Sequence, residues 1–167
     1  MQERLVVLVV GSRNSGKSTT WNRLFGAEAV RTGKYLRSLY LNRAQYVDVF
    51  LVAASAEERE KEIKTILPQE LPQIVLCSAQ YREDVTDTFN FFLANRYDMY
   101  VQWLNPGYGD LARYADNLDL RQFLLTNGAT LQERDGRVDP THRVRELRHL
   151  ILGWATYIGL VKTEFPE

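Results

Sequence analysis

The sequence LVVLVVGSRNSGKSTTWNRLFG, residues 5–26, decides the fold that the rest of the chain is expected to adopt. Its first six residues are all apolar, which predicts a buried strand over residues 5–10. After a polar loop, apolar residues recur at helical spacing as far as Gly26, which predicts a helix that begins near Lys17. The stretch therefore predicts a strand, a loop and a helix in direct succession.

The loop between that strand and helix matches G-x-x-x-x-G-K-[ST] at every fixed position. Glycine at both ends lets the backbone curl so that several N–H groups point inward, and the start of the helix adds its positive dipole end. This arrangement predicts a cradle for the phosphates of a nucleoside triphosphate. The residues expected to surround the phosphates are Gly11, Asn14, Ser15, Gly16, Lys17, Ser18 and Thr19.

Two residues of this loop are expected to contribute chemistry. Lys17 is predicted to reach the β- and γ-phosphates as a compact positive charge and to stabilise charge during catalysis. The hydroxyl of Ser18 is predicted to complete an octahedral Mg²⁺ shell made mostly of waters and phosphate oxygens. The expected ligands are therefore Mg²⁺ and either ATP or GTP.

Length and composition limit the class of protein. The 167 residues, 45% of them apolar, are enough for one domain with a full core, so we expect a single nucleotide-binding domain over residues 1–167. The 21 basic and 21 acidic residues balance, which gives no indication of nucleic acid as a partner. No apolar run approaches the ~20 residues of a membrane span. The single cysteine, Cys77, lies in an apolar run and predicts a buried thiol in a reducing compartment, so we expect a cytoplasmic protein.

The remaining sequence predicts an antiparallel hairpin followed by alternating helices and strands. Two β-rich runs, residues 35–41 and 46–52, are separated by only four residues, which is short enough for a hairpin. An exposed helix is predicted over residues 56–67, with Ser55 as its N-cap. Further on, the patterns predict strands over residues 73–79, 98–104 and 128–133, and helices over residues 84–95, over residues 111–125 and from residue 139 onward.

This order of elements resembles a minimal G domain of the P-loop GTPase class. The loop, together with Asn22 and Leu24 after it, is similar to the first motif of the Era-like, translation-factor-related GTPases. The resemblance implies an α/β fold, a single three-layer P-loop NTPase domain whose mainly parallel sheet has one antiparallel strand and helices on both faces. It also implies a magnesium-binding threonine in the first switch, where this chain has Thr32. A lone threonine in a polar linker is otherwise an ordinary linker residue.

The D-x-x-G motif of that family is missing here. Its aspartate holds Mg²⁺ through water, but in this chain the second hairpin strand is followed by AASAEE, residues 53–58. Glu57 or Glu58 is the candidate to hold the water shell of the metal or to orient an attacking water, and we take Glu57 as the catalytic candidate. The alternative is that both glutamates lie in the first turn of a helix only because its dipole favours negative charge there.

Guanine recognition in the family uses N-K-x-D, and this motif is also altered. The corresponding stretch is NPGYGD, residues 105–110, which keeps Asn105 and Asp110 but lacks the lysine and is two residues longer. These two residues are candidates for a remodelled base site, and the alternative is that they form a turn and cap the next helix. We therefore expect ATP and GTP affinities within about tenfold of each other.

Three functions are compatible with these motifs. The first is a nucleotide switch with slow Mg²⁺-dependent hydrolysis, in which bound triphosphate orders residues 27–34 and 55–60 for a protein partner. The second is a small-molecule kinase that uses an arginine-rich segment as a lid, although the same arginines also fit a solvated and partly paired surface. The third is a degenerate G domain that serves as an interaction module. The arginines concerned are Arg134, Arg137, Arg143, Arg145 and Arg148.

Overall fold

A computed structural model describes residues 3–164 of the chain, which fold into seven strands and five helices. The strands are β1 (Arg4–Gly11), β2 (Arg37–Tyr40), β3 (Gln45–Val52), β4 (Ile74–Gln80), β5 (Tyr97–Leu104), β6 (Thr130–Arg134) and β7 (Lys162–Thr163). The helices are α1 (Lys17–Phe25), α2 (Ile63–Ile66), α3 (Val85–Ala94), α4 (Leu120–Thr126) and α5 (Thr141–Ile158).

All seven strands belong to one mostly parallel sheet. The strand order is β2-β3-β4-β1-β5-β6, and the short β7 pairs with β3 outside this path. β1 lies in the interior of the sheet and pairs in parallel with both β4 and β5. β2 and β3 form the predicted antiparallel hairpin at one edge, while β7 adds a second antiparallel pairing that the sequence patterns did not predict. The α/β class and the mainly parallel sheet are thus confirmed.

The core is divided by the sheet into two apolar clusters. Alternate residues of β1 enter opposite clusters, with Val6, Leu8 and Val10 on one side and Leu5, Val7 and Val9 on the other. The first cluster is completed by apolar residues of α2, α3 and α4, and the second by residues of α1 and α5. Because helices cover both faces, β1 has to be apolar on both sides, which explains the uninterrupted apolar run of residues 5–10.

The helix predicted over residues 56–67 is wrong for most of its length. Only α2 is regular, and the chain before it forms turns in which Glu60 adopts a positive φ of 52°. Ser55 caps the first of these turns, since its Oγ accepts a hydrogen bond from the backbone N–H of Glu58 at 3.2 Å. The segment is also less exposed than predicted, because Ala56 and Glu57 are buried against the sheet.

The helix predicted over residues 111–125 is also wrong in its first part, and only α4 forms. Tyr114 is held to the loop after β5, because its backbone N–H and C=O both hydrogen-bond to the side chain of Asn105. Asp116 then caps α4 by accepting hydrogen bonds from the backbone N–H groups of Leu120 and Arg121. In the part of the chain that the structure describes, no helix is both long and apolar enough to cross a membrane.

Candidate functional site

Three loops meet at the carboxyl edge of the sheet. β1, β4 and β5 run in parallel and end in register, with Gly11 opposite both Gln80 and Leu104. The loops that follow these strands therefore lie side by side. A cleft of about 1080 Å³ lies between the loop after β1, the end of β4 with the residues that follow it, the linker before β2 and the segment after β3. Its walls include the loop residues Asn14, Ser15, Gly16, Lys17, Ser18 and Thr19, together with Thr32, Glu58, Gln80 and Arg82.

The loop over residues 11–18 is held in a fixed curve by the loop after β5. The backbone N–H groups of Tyr108 and Gly109 donate to the carbonyls of Ser15 and Asn14 at 2.9 and 3.0 Å. Gly107 packs so closely that a Cβ at this position would lie 2.5 Å from the Cβ of Ser15. A Cβ at Gly136 would lie 2.5 Å from the carbonyl oxygen of Ser15. Contacts with two distant loops therefore determine the shape of this loop.

Lys17 is buried, with 6% of its surface exposed, and its ammonium group faces three oxygens. Its Nζ donates to the carbonyls of Gly11 and Ser12 at 3.2 and 2.9 Å and lies 3.4 Å from a carboxylate oxygen of Glu58. Burial lowers the pKa of Lys17, and the attraction of Glu58 acts in the opposite direction. The structure therefore places a desolvated cation at the centre of the loop, next to the start of α1.

A second buried cation lies behind the loop. Arg143 of α5 is 4% exposed and donates to the hydroxyl of Thr20, which in turn donates to the carbonyl of Gly16 at 2.9 Å. Its Nε has no hydrogen-bond partner among residues 3–164. Burial lowers the pKa of Arg143 to about 10, and attraction to Asp139 offsets only part of this effect. Arg143 therefore adds positive potential directly behind Gly16, and it differs from the surface arginine that the sequence predicted.

The two glutamates after β3 have different surroundings. Glu57 is 3% exposed, and its carboxylate accepts hydrogen bonds from the backbone N–H of Gln80 and from the hydroxyl of Thr88, both at 2.9 Å. Burial raises the pKa of Glu57. Glu58 instead lines the cleft and contacts Lys17. The catalytic role of Glu57 stays a prediction. Glu58 is the glutamate whose carboxylate contacts Lys17 of the loop.

Asn105 and Asp110 both shape the loop after β5. The Asn105 side chain is buried and exchanges two hydrogen bonds of 3.0 Å with the backbone of Tyr114. Asp110 accepts hydrogen bonds from the backbone N–H of Gly107 at 2.8 Å and from the hydroxyl of Ser12 at 3.0 Å. These contacts are what the turn-forming alternative predicts, and the role of both residues in base recognition stays a prediction.

A second, smaller cleft of about 400 Å³ lies on the other side of the loop. It shares Asn14, Gly16 and Thr19 with the larger cleft and extends to Tyr108 and the start of α5. Exposed apolar side chains flank it, since Tyr108 and Val138 are 67% and 58% exposed. Its remaining walls include Gly136, Arg137, Asp139, Pro140 and Arg143.

The larger cleft offers oxygen ligands for a divalent cation. The hydroxyls of Ser18 and Thr32 belong to residues that line it, and Thr32 is fixed because its Oγ1 accepts a hydrogen bond from the backbone N–H of Ala53 at 3.0 Å. Over residues 3–164, no three histidine, cysteine, aspartate or glutamate side chains are grouped as a metal site. The hydroxyls of Ser18 and Thr32 are donors that fit Mg²⁺ bound mainly to phosphate and water, because Mg²⁺ at such sites needs few protein ligands.

Sequence reasoning identified the loop but missed Arg82 and the buried position of Arg143. Arg82 follows the end of β4, so a parallel pairing of β1 with β4 is the signal that would have placed it beside the loop. Neither the models of known protein families nor the sequences of curated proteins match this chain.

Proposed function

We propose that this chain is a P-loop NTPase domain of three layers that binds a nucleoside triphosphate with Mg²⁺, hydrolyses it slowly and acts as a nucleotide switch. The observation that carries the proposal is the buried ammonium group of Lys17. It lies inside a glycine-containing loop, at the start of α1 and at the edge where three parallel strands end. Such a position concentrates positive charge and backbone donors where phosphates bind.

The two adjoining clefts suggest how the nucleotide is oriented. The phosphates fit in the larger cleft, where they replace Glu58 as the partner of Lys17. The nucleoside fits in the smaller cleft, because the exposed ring of Tyr108 and the side chain of Val138 offer apolar surfaces for a base. The shared residues Asn14, Gly16 and Thr19 connect the two parts.

Hydrolysis would proceed by attack of water on the terminal phosphate. The water oxygen forms a bond to the γ-phosphorus while the bond from that phosphorus to the bridging oxygen breaks, giving nucleoside diphosphate, inorganic phosphate and one proton. Glu58 is the better candidate to orient this water, because both carboxylate oxygens of Glu57 are engaged by protein donors. Bound Mg²⁺, held through Ser18 and Thr32, would neutralise charge on the phosphates.

The switch role is supported by a direct link between two segments that border the phosphates. Thr32 in the linker is hydrogen-bonded to Ala53, and Glu58 follows five residues later beside Lys17. A phosphate that contacts both segments can therefore order them together and present them to a protein partner. We place this activity in the cytoplasm, because the only cysteine of the chain, Cys77, is a buried free thiol.

The alternative of a kinase with an arginine-rich lid is less well supported. Arg134 is paired with Glu146, Arg137 is paired with Asp135, and Arg143 is buried behind the loop. These arginines are therefore divided among separate structural contacts. If no nucleotide binding is measured, the remaining alternative is a domain that serves as an interaction module.

The proposal is tested by titrating wild type and Lys17→Ala with labelled ATP and GTP in the presence of Mg²⁺. Lys17→Ala is expected to weaken binding at least tenfold, because charge-assisted contacts to phosphate contribute about 2 kcal/mol. ATP and GTP are expected to bind wild type within about tenfold of each other. Lys64→Ala, which removes an exposed lysine of α2, is the matched control. Equal affinity of wild type and Lys17→Ala would refute phosphate binding by the loop, and phosphate release measures hydrolysis.

A further inference from the structure

Arg82 lines the larger cleft, whose walls also include Lys17. It follows β4, whose last residue, Gln80, is in register with Gly11 at the start of the loop. The backbone N–H of Tyr81 donates to the carbonyl of Gly11 at 2.9 Å, so the chain before Arg82 is fixed directly to the loop. Both Gln80 and Arg82 line the larger cleft.

The guanidinium of Arg82 is held beside the two glutamates of the switch segment. Its Nη1 donates to the carbonyl of Glu57 at 3.2 Å, and its Nε lies 3.3 Å from a carboxylate oxygen of Asp84. The next residue after Glu57 is Glu58, whose carboxylate contacts Lys17. Arg82 and Lys17 are therefore anchored to consecutive residues of one segment.

The side chain of Arg82 is partly exposed, so its guanidinium is accessible to an anion in the cleft. The side chains of Arg82 and Asp84 are 44% and 42% exposed, and an ion pair with this exposure contributes little to stability. The guanidinium can bind phosphate oxygens with two parallel hydrogen bonds, and these charge-assisted bonds would replace its contacts with Glu57 and Asp84. Arg13 and Arg31 also line the cleft and are exposed like Arg82, but Arg82 is the one that follows the buried strand β4.

We propose that Arg82 recognises the terminal phosphate and makes this protein selective for nucleoside triphosphates over diphosphates, an inference that rests on the proposed nucleotide binding. The position relative to Lys17 determines which phosphate is contacted. Tyr108 and Val138, which fit the nucleoside, lie at the smaller cleft on the other side of the loop. Arg82 lines the larger cleft together with Lys17 and Glu58 and does not line the smaller one, so it is on the side of the loop where the phosphates fit. In this proposal a diphosphate lacks the phosphate that Arg82 binds and keeps only the contacts of the loop.

Calorimetric titration of ATP, ADP, GTP and GDP with Mg²⁺ tests this inference on wild type and three variants. Arg82→Ala is expected to weaken triphosphate binding about 10- to 100-fold, the effect of losing a charge-assisted contact, and to change diphosphate binding less than about threefold. Arg82→Lys keeps the charge without the planar fork and should restore part of the triphosphate affinity. Arg43→Ala, in the hairpin turn at the opposite end of β3, is the matched control and should leave both affinities unchanged.

The outcomes separate this inference from the proposed function. Equal losses of triphosphate and diphosphate affinity in Arg82→Ala, or no loss of either, would overturn the role of Arg82 while nucleotide binding by wild type stands. If wild type binds none of the four nucleotides, the proposed function fails and the inference fails with it. Thermal unfolding of each variant checks that the fold is retained. If Arg82→Ala is unstable, the nucleotide affinities of Arg82→Lys test the same role of Arg82.

Discussion

Replacing Arg143 with methionine is expected to stabilise the folded protein and to weaken the proposed binding of nucleotide phosphates. Arg143 is buried behind Gly16, and among residues 3–164 its guanidinium has one hydrogen-bond partner, Thr20. Methionine is also a long unbranched side chain, so it can occupy much of the same space without the charge. The substitution therefore separates the packing of the side chain from its electrostatic effect.

The expected gain in the free energy of unfolding follows from the cost of burying the charge of Arg143. Burial lowers the pKa of Arg143 from an ordinary value of 12.5 to about 10. At about 1.4 kcal/mol for each tenfold change, the charged form costs the folded state about 3 kcal/mol at neutral pH. This cost disappears only as the pH rises above about 10, because the charged form is the one that burial disfavours. Loss of the hydrogen bond to Thr20 costs about 1 kcal/mol, which leaves a net gain of about 2 kcal/mol.

Urea denaturation at pH 7 without nucleotide measures this gain, and calorimetry measures the accompanying loss of triphosphate affinity. Arg148→Met is the matched control, because Arg148 lies on the same helix and donates to the carbonyl of Leu24 at 3.2 Å. It is expected to change the free energy of unfolding by less than about 1 kcal/mol and to leave affinity unchanged. If Arg143→Met lowers the free energy of unfolding by 2 kcal/mol or more, as estimated for lost buried contacts, the charge-burial reasoning is refuted. Unchanged affinity would refute the electrostatic role of Arg143.

Two further predictions concern buried polar groups near the loop. Trp21→Phe removes the hydrogen bond from the indole N–H to the hydroxyl of Ser78 at 2.8 Å and should lower the free energy of unfolding by about 1–3 kcal/mol. Adding Ser78→Ala should recover part of that loss in urea denaturation, and an additive loss would contradict it. Glu57 has a pKa raised by burial, so its contribution to stability falls as the pH rises from the ordinary carboxyl value of 4.5 through the raised pKa. Glu57→Gln should make the free energy of unfolding depend less on pH above the ordinary carboxyl value of 4.5, and an unchanged pH dependence would count against this explanation.

Local patterns were sufficient to predict the strand and the helix on either side of the loop over residues 11–18. The apolar run of β1 requires cover on both faces, and Gly26 ends α1 in a left-handed conformation, as a helix-terminating glycine does. The hairpin was predictable because only four residues separate its two runs. These features depend on residues that are near one another in the sequence.

The site depends on partners that are distant in the sequence, and local patterns do not contain this information. The charged stretch after Ser55 has the composition of an exposed helix, but Glu57 is buried because Gln80 and Thr88 supply its hydrogen bonds. Arg143 has the pattern of a surface arginine, and only the packing of α5 against α1 buries it. The position of Arg82 beside the loop depends on the pairing of β1 with β4.

The close packing around Ser15 has a consequence for recognising distant relatives of this protein. Gly107 and Gly136 follow β5 and β6, and each leaves no room for a side chain against residue 15. A larger residue at any of these three positions would displace the loop, so substitutions there have to be compensated together. Small residues after the first, fifth and sixth strands therefore form a three-part signature that a search for similar sequences can use.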